Sequence, residues 1–479
     1  MPSSAGFRPL AVTPNPVDTK EPRASSAPRL TSRLHGLGLA IAVSMVSALT
    51  CLFTPLLRAA ELQSSLIASA LWSGDSHNFK RQSHQFSLEP EAILRFDNRV
   101  KLTALMRLRS ISFDGLAPQR VSDAAYSPLG KPLYMGNSSE FELREFYLEL
   151  PSDNYYFTLG KQQVVWGKAD GLKVLDIVNP QSYREFILED FDDSRIPQWL
   201  ANIETNVGEW DAQFLWIPEQ SYHVLASEGG LYAPTSPLLL PQAPPVGVSV
   251  DVKAIDRPGR LLMDSDIGLR LSRFWKGWDL SLNYLYQYDN FALLYQDRSL
   301  TANGPHVTIQ PQYRRTHVLG GSFSNAFDNW VLRGELAYFS DRYFLAEGLS
   351  DSDGITKGKE VSSVVGLDWT GLENTLISGQ LFQSVALNRQ SATVRDKSES
   401  TLSLLVNHTL LNDTLELRLI WLTNSNVGDG LMRLRVTYEW QDNLKTWASS
   451  DTFYGSEEGI FGQFDDNDRL IIGIELAFE

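Results

Sequence analysis

Three kinds of side chain in this 479-residue sequence could do chemistry: charged groups spaced two apart, a few histidines, and two runs of aspartate. Arg107 and Arg109, Arg333 and Glu335, Glu416 and Arg418, and Arg433 and Arg435 form two-residue pairs, and Arg270 stands in a similar setting. Apolar residues alternate with these charges. On a β-strand, whose side chains alternate sides, that spacing puts the charges on one face and the apolar groups on the other. Such a face can attract, orient or repel a solute, but it contains no nucleophile. Of the seven histidines, only His317 and His408 fall well inside predicted strands. His408 shares the apolar side with Leu402, Leu404 and Val406, a poor setting for a general base. The sequence has no GxSxG, no HExxH and no Gly-rich phosphate loop. No catalytic residue and no cofactor are assigned, and the chain reads as a non-enzyme. The runs Asp190, Asp192, Asp193 and Asp465, Asp466, Asp468 offer the clustered oxygens that calcium takes. Neither has the spaced ligand-and-glycine pattern of a calcium loop, so both read as a solvated acidic rim and no metal site is assigned.

The elements that carry the charges are predicted strands. Trp278–Tyr288 alternates Trp278, Leu280, Leu282, Tyr284, Tyr286 and Tyr288 against Asp279, Ser281, Asn283, Leu285 and Gln287. Leu431–Trp440 does the same, and similar patterns run through 101–110, 266–274, 331–339, 414–422 and 469–478. A soluble β-sandwich also alternates, but three features favour a membrane barrel. The apolar faces end in Tyr or Trp, as interfacial girdles do, at Tyr286, Tyr288, Tyr438 and Trp440. Full charges stand mid-strand on the other face. They are tolerable in a wet lumen, whereas Arg or Lys facing lipid at the midplane would cost ~2–4 kcal/mol each. Finally, short and long connections alternate. Short turns fall near Asp97-Asn98, Asp153-Asn154, Gly208, Lys276-Gly277, Asp328-Asn329, Glu373-Asn374, Asn412-Asp413 and Asp442-Asn443, where Asp, Asn and Gly suit the turn conformations. Long loops lie between them, the arrangement in which the short turns are periplasmic.

Seventeen strands are countable from residue 84, and parity requires an even number. An eighteenth could lie at Gln63–Trp72, whose alternation is poor, or one weak strand could merge with another. The expected fold is therefore all-β: a transmembrane antiparallel barrel of about 16–18 strands over 84–479, with 61–83 as a lead-in or first strand. The closing strand shows Leu470, Ile472, Ile474, Leu476 and Phe478 on one face, and Phe478 resembles the terminal aromatic that marks outer-membrane barrels for assembly.

Composition agrees. Mean hydropathy is −0.19, too low for many membrane helices, each of which needs ~20 consecutive apolar residues. Residues 1–60 are basic and then apolar, with LGLAIAVSMVSALTCLF before Arg58, Ala59 and Ala60. They read as a signal segment, either cleaved or kept as an anchor. The only cysteine, Cys51, lies there. The remainder carries 36 basic and 55 acidic residues, a charge near −19, which argues against a non-specific nucleic-acid binder. No room remains for a TonB-type plug, an autotransporter passenger or the coiled helices of an efflux duct.

Two loops stand out. In 164–197, Asn179-Pro180 reads as a helix start, and Tyr183, Ile187 and Phe191 recur every four residues, which predicts a short amphipathic helix. It would fold into the barrel mouth, with Trp166, Asn179, Pro180, Tyr183, Ile187 and Phe191 as a constriction, or else lie on the outer rim. Loop 218–263 contains LYAPTSPLLLPQAPPVGV, whose prolines forbid regular structure. Its leucines either line a path for an oily solute or pack the loop on itself.

The stretch GKQQVVWGKADGLKVLDIVNP at 160–180 resembles a signature of a bacterial outer-membrane family catalogued as a domain of unknown function. The matching elements are Gly160, Gln162, Trp166-Gly167 and Asn179-Pro180, with Ile196-Pro197 resembling a later segment, about 40 residues in all. The resemblance implies an outer-membrane barrel accompanying RND-type (MMPL) transporters and a periplasmic partner, and passage of hydrophobic compounds. The implied setting is the outer membrane of a Gram-negative bacterium, with membrane lipid and the barrel assembly machinery as partners. Two function classes are carried forward. One is a channel for small hydrophobic or amphipathic molecules. The other is a non-conducting barrel for surface binding or assembly.

Overall fold

The computed structural model describes residues 60–76, 82–96, 99–113, 123–241, 245–346, 353–388 and 393–479. The expected signal segment, apart from Ala60, and the Asp97-Asn98 turn lie outside these residues.

Eighteen antiparallel strands close into one barrel. They are β1 (Ala60–Asp75), β2 (Gln82–Phe96), β3 (Lys101–Phe113), β4 (Ser139–Pro151), β5 (Tyr155–Gln162), β6 (Gln198–Val207), β7 (Trp210–Ile217), β8 (Asp266–Trp275), β9 (Trp278–Tyr288), β10 (Arg315–Phe327), β11 (Trp330–Leu345), β12 (Ile355–Trp369), β13 (Thr375–Ala386), β14 (Ser398–Leu410), β15 (Leu415–Asn424), β16 (Gly430–Gln441), β17 (Leu444–Tyr454) and β18 (Arg469–Phe478). Each pairs with its neighbours in sequence, and β1 pairs with β18 from Leu66↔Phe478 to Asp75↔Arg469. No strand of the barrel is left at an edge: each has a partner on both sides over most of its length, as a lipid environment requires.

The alternation places side chains as expected. Leu282, Leu319, Leu336, Val365, Leu381, Leu402, Leu434 and Ile472 point outward and form an exposed apolar belt. At one rim, tight turns join the strands. Lys276 and Gly277 both have positive φ (47° and 88°), the geometry of a two-residue hairpin turn that follows the twist of its strands. Trp330 and Trp369 lie on this rim 5.9 Å apart, and Tyr438 and Trp440 4.7 Å apart, as an aromatic girdle.

The long connections fill and cover the other end. The connection from β9 to β10 contains a hairpin, Leu293–Thr301 with Gly304–Gln312, and Ser249–Val252 joins it in parallel. Tyr222 stacks on Tyr313 at 3.4 Å. Loop 218–265 also packs Leu231 and Tyr232 into a cluster with Leu422, Leu431, Phe453, Phe461 and Phe464. Ser236 donates to the carbonyl of Glu458 at 2.6 Å. Leu231 and Tyr232 thus have a packing role against the last long loop, whereas Leu239 is exposed.

The helix expected from Asn179 through Phe191 does not form. Tyr183 lies in a two-residue bridge with Leu225, Phe186 has φ of 54°, and the one α-helical turn among the described residues of this loop, α1, is Phe191–Ser194. The backbone groups an α-helix would use are engaged elsewhere. The carbonyl of Pro180 accepts from Ile196, that of Gln181 accepts from Val224, and the amide of Gln181 donates to His223. The four-residue spacing of Tyr183, Ile187 and Phe191 therefore reflects three separate contacts. Tyr183 stacks with Phe291, Ile187 joins the second apolar cluster, and Phe191 lies under the Lys173 ammonium.

Candidate functional site

The loop between β5 and β6, residues 163–197, folds into the bore and is fastened to the wall on two sides. Its first limb, 164–178, meets β11 to β13. Glu335, only 3% exposed, accepts backbone N–H groups from Lys168, Ala169 (2.8 Å) and Leu175 (2.9 Å). Beside it, Arg333 donates to the Lys168 carbonyl at 2.7 Å and pairs with Asp170 and with Asp368 (3.0 Å). Val164, Trp166, Val174, Leu175 and Val178 then pack against inward residues of the wall, among them Leu215, Leu285, Val318 and Phe339. The bore thus contains an apolar core. It has room because the wall is glycine where the loop comes closest. A Cβ at Gly268 would lie 2.9 Å from the Trp166 ring, and one at Gly320 would lie 2.5 Å from Leu175. The Trp166 indole N–H donates to Gln213 at 2.7 Å.

Asn179 is fully buried and holds the middle of the loop. Its side-chain oxygen accepts from Val164 (2.7 Å), and its amide donates to the carbonyls of Gln162 (3.3 Å) and Ile196 (3.1 Å). It ties the two ends of the loop together and does not cap a helix.

The second limb, 184–195, meets β3, β4, β16 and β18 through charge. Arg109 pairs with Glu189 at 2.9 Å, Arg107 with Glu142 (2.6 Å) and Asp193 (3.3 Å), and Arg184 with Glu140 (2.6 Å). Arg469 bridges Glu185 and Asp451, both at 2.8 Å. Arg433 binds Asp451 and the Leu188 carbonyl (2.8 and 2.9 Å). Between the limbs, Arg195 binds both carboxylate oxygens of Asp176. The aspartates expected as a solvated rim are in part counter-ions. Asp193 serves Arg107, and Asp192 serves Arg195.

A gap of about 210 Å³ lies between this limb and β1, β2 and β15 to β18. Glu189, Asp190 and Asp193 line one side, and Arg418, Arg433 and Arg435 the other. Opposed charges across a narrow gap set up a transverse field that orients dipolar solutes. Of the nine lumen charges read from the sequence, eight share the inward register in pairs, and Arg270 faces in beside Gln213 and Asn283. They are not one cluster: Arg333 and Glu335 anchor the first limb, Arg107 and Arg109 the second, Arg418, Arg433 and Arg435 border the gap, and Glu416 stands two residues before Arg418 on β15. Phe478 ends β18 on the outer face.

Several site residues were not singled out from sequence. Arg144, which binds the Asp192 carbonyl at 2.6 Å, sits at a β-bulge that breaks the two-residue count. Glu189 and Asp451 become visible only as the partners of Arg109 and Arg433. Arg469 does open the polar face of the last strand, which was a usable signal.

A closed barrel with an apolar belt, a charged bore and an inward-folded loop defines a porin-like β-barrel of the Gram-negative outer membrane. The chain belongs to the DUF1302 family, described as proteins of unknown function, whose sequence model matches residues 136–478. Comparison with curated protein sequences gives no match. Among solved structures, it is similar to OccK5 (OpdH) of Pseudomonas aeruginosa, with 11% identity, TM-score 0.45, and coverage of 88% of this chain and 99% of that one. It is likewise similar to OccAB4 of Acinetobacter baumannii, with 9% identity, TM-score 0.46, and coverage of 88% and 98%. A third is Salmonella typhi OmpF in complex with daunomycin, with 11% identity, TM-score 0.38, and coverage of 88% and 97%.

Proposed function

We propose that this protein is a non-enzymatic outer-membrane channel for small hydrophobic or amphipathic molecules, narrowed by the 163–197 loop. The supporting observation is that loop's path through the bore, with an apolar core along one limb and a charged gap beside the other. A solute with both an apolar body and a polar end suits those surroundings. In this reading Trp166, Asn179, Pro180, Tyr183, Ile187 and Phe191 shape the constriction. Arg107, Arg109, Arg270, Arg333, Glu335, Glu416, Arg418, Arg433 and Arg435 set its field. Residues 1–60 act as the export segment, the assembly machinery recognises the strand ending at Phe478, and an RND-type system with a periplasmic component is the transport partner.

One observation favours the second reading, a non-conducting barrel used for binding or assembly: both limbs are held by buried polar contacts, which would keep the loop in place. Purified protein in planar bilayers separates the two. Discrete conductance steps are the expected outcome. Bilayers that stay sealed although gel mobility confirms folded protein would reject the channel.

A further inference from the structure

Most arginines in the bore have a carboxylate within ion-pairing distance, including Arg107, Arg109, Arg333, Arg433 and Arg469. Arg270 has none among the described residues, and Arg418 and Arg435 have none either. Arg418 and Arg435 are direct cross-strand partners on β15 and β16, so two guanidinium groups share one inward face, and neither forms an ion pair among the described residues. Like charges placed directly opposite destabilise a strand pair. The Arg435 Nε is buried with no hydrogen-bond partner.

The same place has an aromatic floor. Trp447 lines the cavity, and the Arg435 guanidinium lies 4.7 Å from the centre of its ring. Its cross-strand partner is Gly473, and a Cβ at that position would fall inside the indole, so the ring lies flat on the wall where only glycine leaves room. Both arginines and Trp447 face the 210 Å³ gap. Glu185, Glu189, Asp193, Asp451 and Glu475 around the gap pair with other cations, and Glu416 on β15 and Asp190 across the gap make no ion pair with either guanidinium.

We propose that Arg418, Arg435 and Trp447 form a subsite for an organic carboxylate with a flat apolar body. The planar forks of the arginines match a carboxylate geometrically, and the part of the indole that borders the gap beside Arg435 offers apolar surface to the rest of the molecule. The cavity admits a single ring with its carboxylate. The subsite deepens the channel reading by naming a substrate class, and for its role in transport it rests on that reading. Binding itself does not depend on conduction, which allows the two to be tested apart.

The test is ligand-observed NMR titration of the detergent-solubilised full chain with benzoate, benzamide, acetate and sulfate. Benzoate should bind roughly tenfold or more tighter than benzamide, because charge-assisted bonds are about twice as strong as neutral ones. R418Q/R435Q should abolish that difference. W447L should weaken benzoate while leaving acetate unchanged. Heat-shifted gel mobility confirms that each variant is folded, and if the double variant is not, R418Q alone should still reduce the preference, since that side chain is exposed. Equal binding of benzoate and benzamide, tighter binding of sulfate than benzoate, or a preference that survives in a folded arginine variant would overturn the subsite. Conductance without carboxylate preference would remove the subsite and leave the channel. Carboxylate preference in a barrel that never conducts would do the reverse.

Discussion

Glu335 shows what one side chain does inside this bore. A single carboxylate satisfies three backbone N–H groups of a segment that forms no regular structure and would otherwise carry unpaired donors into the bore. Glu335→Ala leaves those donors without an acceptor, at about 1–3 kcal/mol for each that stays buried. The expected result is faster proteolysis within 168–175 with an intact barrel, and Glu335→Gln, which keeps one acceptor oxygen, should be milder. His223 gives a pH-dependent counterpart outside the wall strands. Burial, then the nearby Arg342 and Lys173 charges, push its pKa down to about 3, and its Nδ1 accepts the Gln181 N–H at 2.8 Å. Detached from Gln181, the imidazole regains a pKa near ~6.5 and binds more protons than the docked form. The docked loop should therefore lose stability as pH falls from about 6.5 toward 3. Amide hydrogen exchange at 181–183 should quicken over that window, and His223→Gln should remove this dependence. The charges themselves were legible at two-residue spacing. Their partners were not, because Glu185, Glu189 and Asp193 lie in a segment whose helix-like period does not describe its fold, and only the folded path brings them to Arg469, Arg109 and Arg107.

At the scale of elements, the strands were readable and the long loops were not. Alternation survives in a wall with one lipid face and one lumen face, so β9, β16 and β18 were plain. Strand β1 was obscure because its inward face is mixed, with Leu71 between Ser69 and Ser73 lining the gap. The loop at 163–197 misled because four-residue spacing with Asn-Pro ahead of it is what a helix looks like. Here Asn179 spends its whole side chain joining the loop's two ends. Replacing 172–194 with a Gly-Ser turn should leave the barrel folded, since loop length alters stability only slowly. It should raise single-channel conductance. It should also move ion selectivity toward anions, because Glu185, Glu189 and Asp193 leave while Arg107, Arg109 and Arg469 remain. A shortened, folded protein with unchanged conductance and selectivity would show that the loop does not limit passage.

For the whole molecule, closure depends on one seam. Phe478, 49% exposed on the outer face, pairs with Leu66 at the end of the β1–β18 ladder. Phe478→Ala should lower the amount of heat-modifiable protein in outer-membrane fractions more than the loss of one lipid-facing ring would suggest, because that residue stands where the assembly machinery would read the chain. Normal levels would show that the terminal aromatic is dispensable here. The doubly fastened loop has a mechanical meaning as well. A cylinder of many strands is soft toward ovalisation, since bending a hydrogen-bonded wall costs far less than stretching it. A segment anchored by apolar packing and a buried carboxylate on one side, and by ion pairs on the other, is a cross-brace that fixes the length of one diameter. Lateral pressure from the bilayer would then reshape the section mainly along the other diameter, and freeing either anchor would change the outline of the bore as well as the obstruction within it.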